Sequence, residues 1–160
     1  KMLADSGIVY TLLRNGWYTE NYLASAPAAL EHGVFIGAAG EGKIASATRA
    51  DYAAAAARVI SEDGHAGKTY ELAGDAGWTL SQLAAELAKQ SGKKVVYQNL
   101  SEADFAAALK GVGLPAGLAD MLADSDTGAS KGGLFDDSHT LSKLIGRPTT
   151  SLADSVKGIV

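Results

Sequence analysis

Residues 13–22, Leu13-Arg14-Asn15-Gly16-Trp17-Tyr18-Thr19-Glu20-Asn21-Tyr22, concentrate the side chains best suited to chemistry in this sequence. Trp17, Tyr18 and Tyr22 are flat rings that can stack on a flat conjugated ligand. Asn21 adds an uncharged amide that both donates and accepts hydrogen bonds. Asn15-Gly16 is a turn dipeptide whose backbone can approach a ligand closely. The segment directly follows an apolar run, and in open α/β sheets ligands bind beyond the carboxyl ends of the strands. The same residues have a plainer use: Trp17 and Tyr18 as packing under the next helix, Asn21 as a buried hydrogen-bonder. Spacing favours neither.

Elsewhere the sequence is poor in catalytic motifs. It contains no HExxH, CxxC or GxSxG. His32, His65 and His139 each fall at an expected helix end or loop, where a solvated or helix-terminal role is the ordinary one. Asp124-Ser125-Asp126 and Asp136-Asp137 are expected to be solvated loop carboxylates, so no metal site is assigned. Gly128 to Gly133 lacks the residue order of a phosphate loop and follows no strand. The stretch Gly37 to Gly42 lacks the helix that would aim N–H groups at a phosphate. Both read as loops or turns, and alanine-rich 53–57 reads as helix packing.

The elements that must position residues 13–22 follow from pattern. Met2 and Leu3 closed by Gly7 read as the last turn of a helix. Residues 8–14 then form a β-branched, apolar strand expected to be buried on both faces of a parallel sheet. An opening of this kind suggests the C-terminal portion of a longer protein. Tyr18 to His32 is expected to be helical, broken or kinked near Pro27. Short extended segments are expected at Gly33–Ile36, Lys43–Ser46, Lys68–Leu72 and Val95–Tyr97. Thr48 and Asp51 begin a helix over 51–62. Thr79 with Gln82 is a capping box, stapled by Trp78 and Leu83. Ser101 and Asp104 cap the next helix. A short helix is expected at 116–124, a polar loop from Asp124 to Gly133, and two further helical segments at 139–145 and 151–160.

Composition sets the outer bounds. Of 160 residues, 47% are hydrophobic and 20% charged, with a net charge of −4. A chain of this length can bury about 70% of its unfolded surface. Fourteen basic against eighteen acidic residues give no positive field for nucleic acid or anionic membrane. The absence of cysteine excludes thiol chemistry and disulfides and fits a cytoplasmic setting. No apolar run approaches a membrane span, and no signal peptide is evident.

Three stretches resemble one family. Ser6-Gly7-Ile8-Val9-Tyr10-Thr11-Leu12-Leu13-Arg14-Asn15-Gly16-Trp17-Tyr18-Thr19-Glu20-Asn21 is similar to a segment of the NmrA-like atypical short-chain dehydrogenase/reductases. So are Ala47-Thr48-Arg49-Ala50-Asp51-Tyr52-Ala53-Ala54-Ala55-Ala56, and Tyr70-Glu71-Leu72-Ala73-Gly74 followed by Trp78-Thr79-Leu80. The likeness runs through nearly the whole chain and leans toward the family's bacterial NAD(P)H:quinone reductases.

That resemblance implies a Rossmann-like NAD(P)-binding α/β fold with a small α/β substrate lobe. The sheet strand would lie at 8–14 and the lobe mainly at 66–160. Arg14, Asn15, Gly16 and Trp17 would bind the cofactor, NADPH. Trp17, Tyr18 and Asn21 would face a quinone, and Asn21 or Tyr22 would donate to its reduced oxygen. Relatives more often carry Pro-Gly where this chain has Asn15-Gly16. The family's G-x-x-G-x-x-G loop does not occur in the sequence. The glycine-rich N-terminal half is therefore expected to be absent, leaving a fragment inactive alone and prone to homo-oligomer formation or aggregation. The alternative implied function is a dinucleotide-binding redox sensor without catalysis.

Overall fold

The computed structural model describes residues 2–160. In order the elements are α1 (Met2–Asp5), β1 (Leu12–Asn15), α2 (Thr19–Leu23), α3 (Ala26–His32), β2 (Val34–Gly37), α4 (Arg49–Ser61), β3 (Thr69–Leu72), α5 (Leu80–Ser91), β4 (Val96–Asn99), α6 (Glu102–Gly111), α7 (Ala116–Ser130), α8 (Thr140–Ile145) and α9 (Leu152–Lys157). All four strands pair in parallel, as helical crossovers require. β1 pairs with β3, Leu12 opposite Thr69 through Asn15 opposite Leu72. β2 pairs with β4, Val34 opposite Val96 through Gly37 opposite Asn99. The two sheets therefore interleave along the chain.

The helices begin where local chemistry starts them. Thr48 accepts from the Asp51 N–H to cap α4. Thr79 and Gln82 satisfy each other's backbone donors in a complete capping box on α5. Ser101 and Ser151 cap α6 and α9 by accepting from the Asp104 and Asp154 N–H groups. Pro27 sits in the first turn of α3, where its missing N–H costs nothing. The expected 18–32 helix is accordingly two helices, α2 and α3.

One core packs α2, α3 and α5 around Phe35, Ile44 and Trp78, with Leu80, Leu83 and Leu87 of α5 on one buried stripe. A second joins α4 and α8 through Tyr52, Leu72, Leu141 and Ile145. A third seats the α6–α7 hairpin through Phe105, Ala106 and Ala123.

Two expectations change. The strand expected at 8–14 begins at Leu12, and Ile8 (65% exposed) and Val9 (80%) lie open. β1 is paired along one edge only, by β3, and the run before it lies outside the ladder. The expected loop from Asp124 is helix: α7 continues to Ser130 because Asp126 points inward and finds buried donors. Among the described residues, no helix is long and apolar enough to cross a membrane.

Candidate active site

The backbone leaving β1 is held on both sides. The Gly16 N–H continues the ladder to the Leu72 carbonyl at 2.8 Å. Ala47 N–H then donates to the Trp17 carbonyl at 3.2 Å, and Thr19 N–H to the Ala47 carbonyl at 3.0 Å. Thr19 and Ser46 share a buried hydroxyl contact of 2.7 Å. Gly16 is needed here: a Cβ would stand 3.0 Å from the Leu72 oxygen and 3.2 Å from the Tyr52 hydroxyl. Trp17 is thus fixed by backbone pairing rather than by side-chain packing alone.

Trp17 lies between two concavities. One, about 440 Å³, opens at the carboxyl ends of β1 and β3 and includes Arg14, Asn15, Gly16, Leu72 and Ala73. The other, about 710 Å³, lies between α2–α3 and the α6–α7 hairpin. It includes Asn21, Arg49, Phe105 and Leu109. Trp17 lines both. Its indole N–H is buried with no acceptor among the described residues.

The sequence-predicted residues distribute unevenly around this pair of clefts. Arg14, Asn15 and Gly16 line the strand-end groove, with Arg14 paired to Glu71 at 3.0 Å across the register. Asn21 lines the larger cleft, and its Oδ1 accepts from the Arg49 guanidinium at 3.0 Å. That bond occupies the amide oxygen and leaves the NH₂ as the side chain's remaining donor. Tyr18 lines neither cleft. Its ring is edge-on to Tyr52, 5.3 Å between centroids, and beneath Arg49 at 4.4 Å.

Tyr22 is buried, 8% exposed, and reaches the cleft only through a crevice of about 40 Å³. Its hydroxyl donates to Asp126 Oδ1 at 3.0 Å. Burial, reinforced by the neighbouring Asp126 carboxylate, pushes this phenol far above its ordinary range. It is a structural donor locked to a buried acid.

Two participants were not singled out in the sequence. Arg49 sits at the first position of α4, where only a capping pattern was visible, yet it holds both Asn21 and Tyr18. Its own N–H donates to Glu20 Oε1 at 2.8 Å. Asp126 was read as one of a solvated pair, yet it is 4% exposed and also accepts from the Ala38 N–H at 2.8 Å. Burial raises its pKa against the lowering effect of those two hydrogen bonds. The absence of a side chain at Gly37 admits it, since a Cβ there would lie 2.8 Å from Asp126 Oδ2.

Comparison with known proteins follows this geometry. No family model matches the chain. It is 88% identical over 156 residues to quinone oxidoreductase 2 of Escherichia coli. The alignment covers 98% of this chain and 54% of that protein. A crystal structure of the E. coli NADPH-dependent quinone oxidoreductase complexed with NADPH superposes with a TM-score of 0.96 at 87% identity. It covers 99% of this chain and 56% of that one. Both likenesses agree with the resemblance to the NmrA-like short-chain dehydrogenase/reductases. A more distant relative, the Citrobacter sp. triphenylmethane reductase complexed with NADP(H), superposes with a TM-score of 0.92 at 37% identity, covering 98% of this chain and 55% of that one. The parallel pairs β1–β3 and β2–β4 with their helices match the family's NAD(P)-binding reductase fold. The chain spans little more than half the length of these relatives.

Proposed function

We propose that this chain carries the substrate side of an NADPH-dependent quinone reductase. The observation that carries the reading is Trp17, one indole shared by a strand-end groove and a large, mostly apolar cleft. Hydride transfer needs donor and acceptor rings held face to face at near contact, and a rigid aromatic wall common to both sites supplies that constraint. The names of the relatives at 87–88% identity support the same chemistry.

The groove residues fit the ring end of a dinucleotide. Asn15 and Gly16 line the groove, Asn15 offering amide groups, and Trp17 adds an aromatic face. They do not fit its pyrophosphate, because neither a G-x-x-G-x-x-G loop nor its helix N-terminus occurs in the sequence. When bound, NADPH supplies the hydride, and the quinone takes it with a solvent proton to become hydroquinone. Asn21, its oxygen tied to Arg49, turns its NH₂ toward the developing oxyanion. Trp17 sets the plane of the acceptor, and Phe105 and Leu109 help to exclude water.

Residues 1–160 are, on this reading, the C-terminal part of one NmrA-like domain, with β1 (Leu12–Asn15) in the Rossmann sheet and the substrate lobe mainly at 66–160. A glycine-rich half would cover Ile8, Val9 and the free edge of β1. Alone, the 160 residues are expected to associate and to bind NADPH too weakly to measure.

The test is NADPH consumption by the full-length protein with and without a quinone. Quinone-dependent consumption is expected. NADPH binding with no quinone-dependent consumption would make the protein a dinucleotide sensor and overturn the reading.

A further inference from the structure

The larger cleft joins two surfaces of different chemistry. Around Trp17 it is polar, with Glu20, Asn21 and Arg49. On the opposite wall, every side chain contributed by α6, α7 and their connection is apolar, among them Phe105, Leu109, Val112, Leu118, Met121 and Leu122. The apolar wall continues to the rim, where Val112 is 76% exposed, Met121 47% and Leu118 42%. Three large apolar side chains open to water at the lip of one cleft mark a surface shaped for apolar contact. The hairpin meanwhile keeps its charged Lys110–Asp120 pair, 2.6 Å apart, off the cleft wall.

Size points the same way. At about 710 Å³ the cleft is large enough for a drug-sized ligand, far more than one quinone ring fills. The polar end alone can position such a ring, through Trp17 and Asn21. Beyond that end the α6–α7 wall presents only apolar side chains, and the facing α2–α3 side adds Ser25 and His32 among apolar neighbours.

We propose that the substrate is a quinone bearing an apolar chain, alkyl or isoprenoid. The ring lies at Trp17 and Asn21, and the chain runs along the α6–α7 wall to the rim at Val112, Leu118 and Met121. This deepens the quinone-reductase reading and rests on it. The substituent is uncharged, because the hairpin wall offers no cation or anion as partner. Each chain methylene removed from water adds to binding until the chain passes the rim.

The experiment compares one benzoquinone ring, unsubstituted and carrying alkyl chains of increasing length, in NADPH consumption by the full-length protein. The expected result is a kcat/KM that climbs about two- to fourfold per added methylene and then levels off. Leu118→Ser, or Met121→Ser should the first variant fail to fold by circular dichroism, is expected to shrink the ratio of chain-bearing to plain quinone several-fold. Equal kcat/KM for plain and substituted rings would overturn the proposal. So would a chain preference untouched in both rim variants, since the chain would then lie elsewhere. Absence of turnover with every quinone would instead count against the quinone-reductase reading. Quenching of tryptophan emission by the same series then still decides the proposal: tighter binding of the longer chains, weakened in the rim variants, supports it, and chain-independent binding overturns it.

Discussion

The Tyr22 hydroxyl on α2 donates to the Asp126 carboxylate on α7 at 3.0 Å, joining residues 104 positions apart. With the Ala38 N–H at 2.8 Å on the other oxygen, Asp126 ties the α6–α7 hairpin to the β2 end and to the helix that follows Trp17. One buried acid therefore sets the width of the cleft between α2 and the hairpin.

Tyr22→Phe removes the donor and leaves a buried carboxylate with one partner. The expected loss is about 1–3 kcal/mol of stability, measured by urea unfolding. Because burial raises the folded-state pKa of Asp126, its contribution is fullest below the ordinary carboxylate pKa of about 4 and is lost as pH rises through the folded value. The melting-temperature advantage of the native protein over Asp126→Asn should thus shrink from acid toward neutral pH.

Asp51 has the opposite sign. It is fully buried at the start of α4, accepts from the Thr48 hydroxyl and the Thr150 N–H at 2.9 Å each, and meets Arg147 at 2.7 Å. Burial alone would raise its pKa, but Thr150, Thr48 and Arg147 together hold it below the ordinary value. Its stabilisation is present above that value and lost as pH falls through the folded pKa. Arg147→Met should cost about 1–3 kcal/mol at neutral pH, and the gap from the native protein should close in acid. Thermal melts across pH measure both.

The contrast between these two aspartates shows what pattern alone reveals. Asp51 stands three residues after Thr48, a local spacing that announces a helix start, so its helix was legible. Asp126 owes its role to Tyr22 and Ala38, both about ninety residues or more away, and a local pattern of Asp, Ser and Gly reads as loop. The capping box at Thr79 and the serine caps were legible for the same local reason. The run at 8–13 was legible as strand material but not as exposed, because exposure depends on what packs against it. At the candidate site, Trp17 and Asn21 were visible from their place after a strand. Arg49 was not, because its bonds cross from α4 back to α2.

Trp17→Phe keeps a ring but removes an indole N–H that is buried without an acceptor. Stability should be unchanged or slightly raised, since an unpaired buried donor costs about 1–3 kcal/mol. Quinone-dependent turnover should fall severalfold, and in Trp17→Ala, where the wall itself is gone, by a further tenfold or so. Steady-state kinetics with parallel melting curves separate the two effects.

Arg49→Lys keeps the charge and loses the planar group that covers Tyr18 and reaches Asn21. Freed from Arg49, the Asn21 amide can rotate its oxygen toward the substrate. Quinone kcat should drop about tenfold, a fraction of the roughly hundred- to thousandfold that complete loss of an oxyanion donor costs, because the amide stays in place and only its orientation is freed. Melting temperature should barely move, because Arg49 is exposed.

The most direct test places the quinone on the shared indole. The emission of Trp17 is isolated by difference, the full-length native protein against its Trp17→Phe variant. Titration with a quinone should quench that emission saturably, with a midpoint near the KM for the same quinone. Quenching that grows linearly without saturation, as simple collision produces, would contradict Trp17 as the wall of the reacting site.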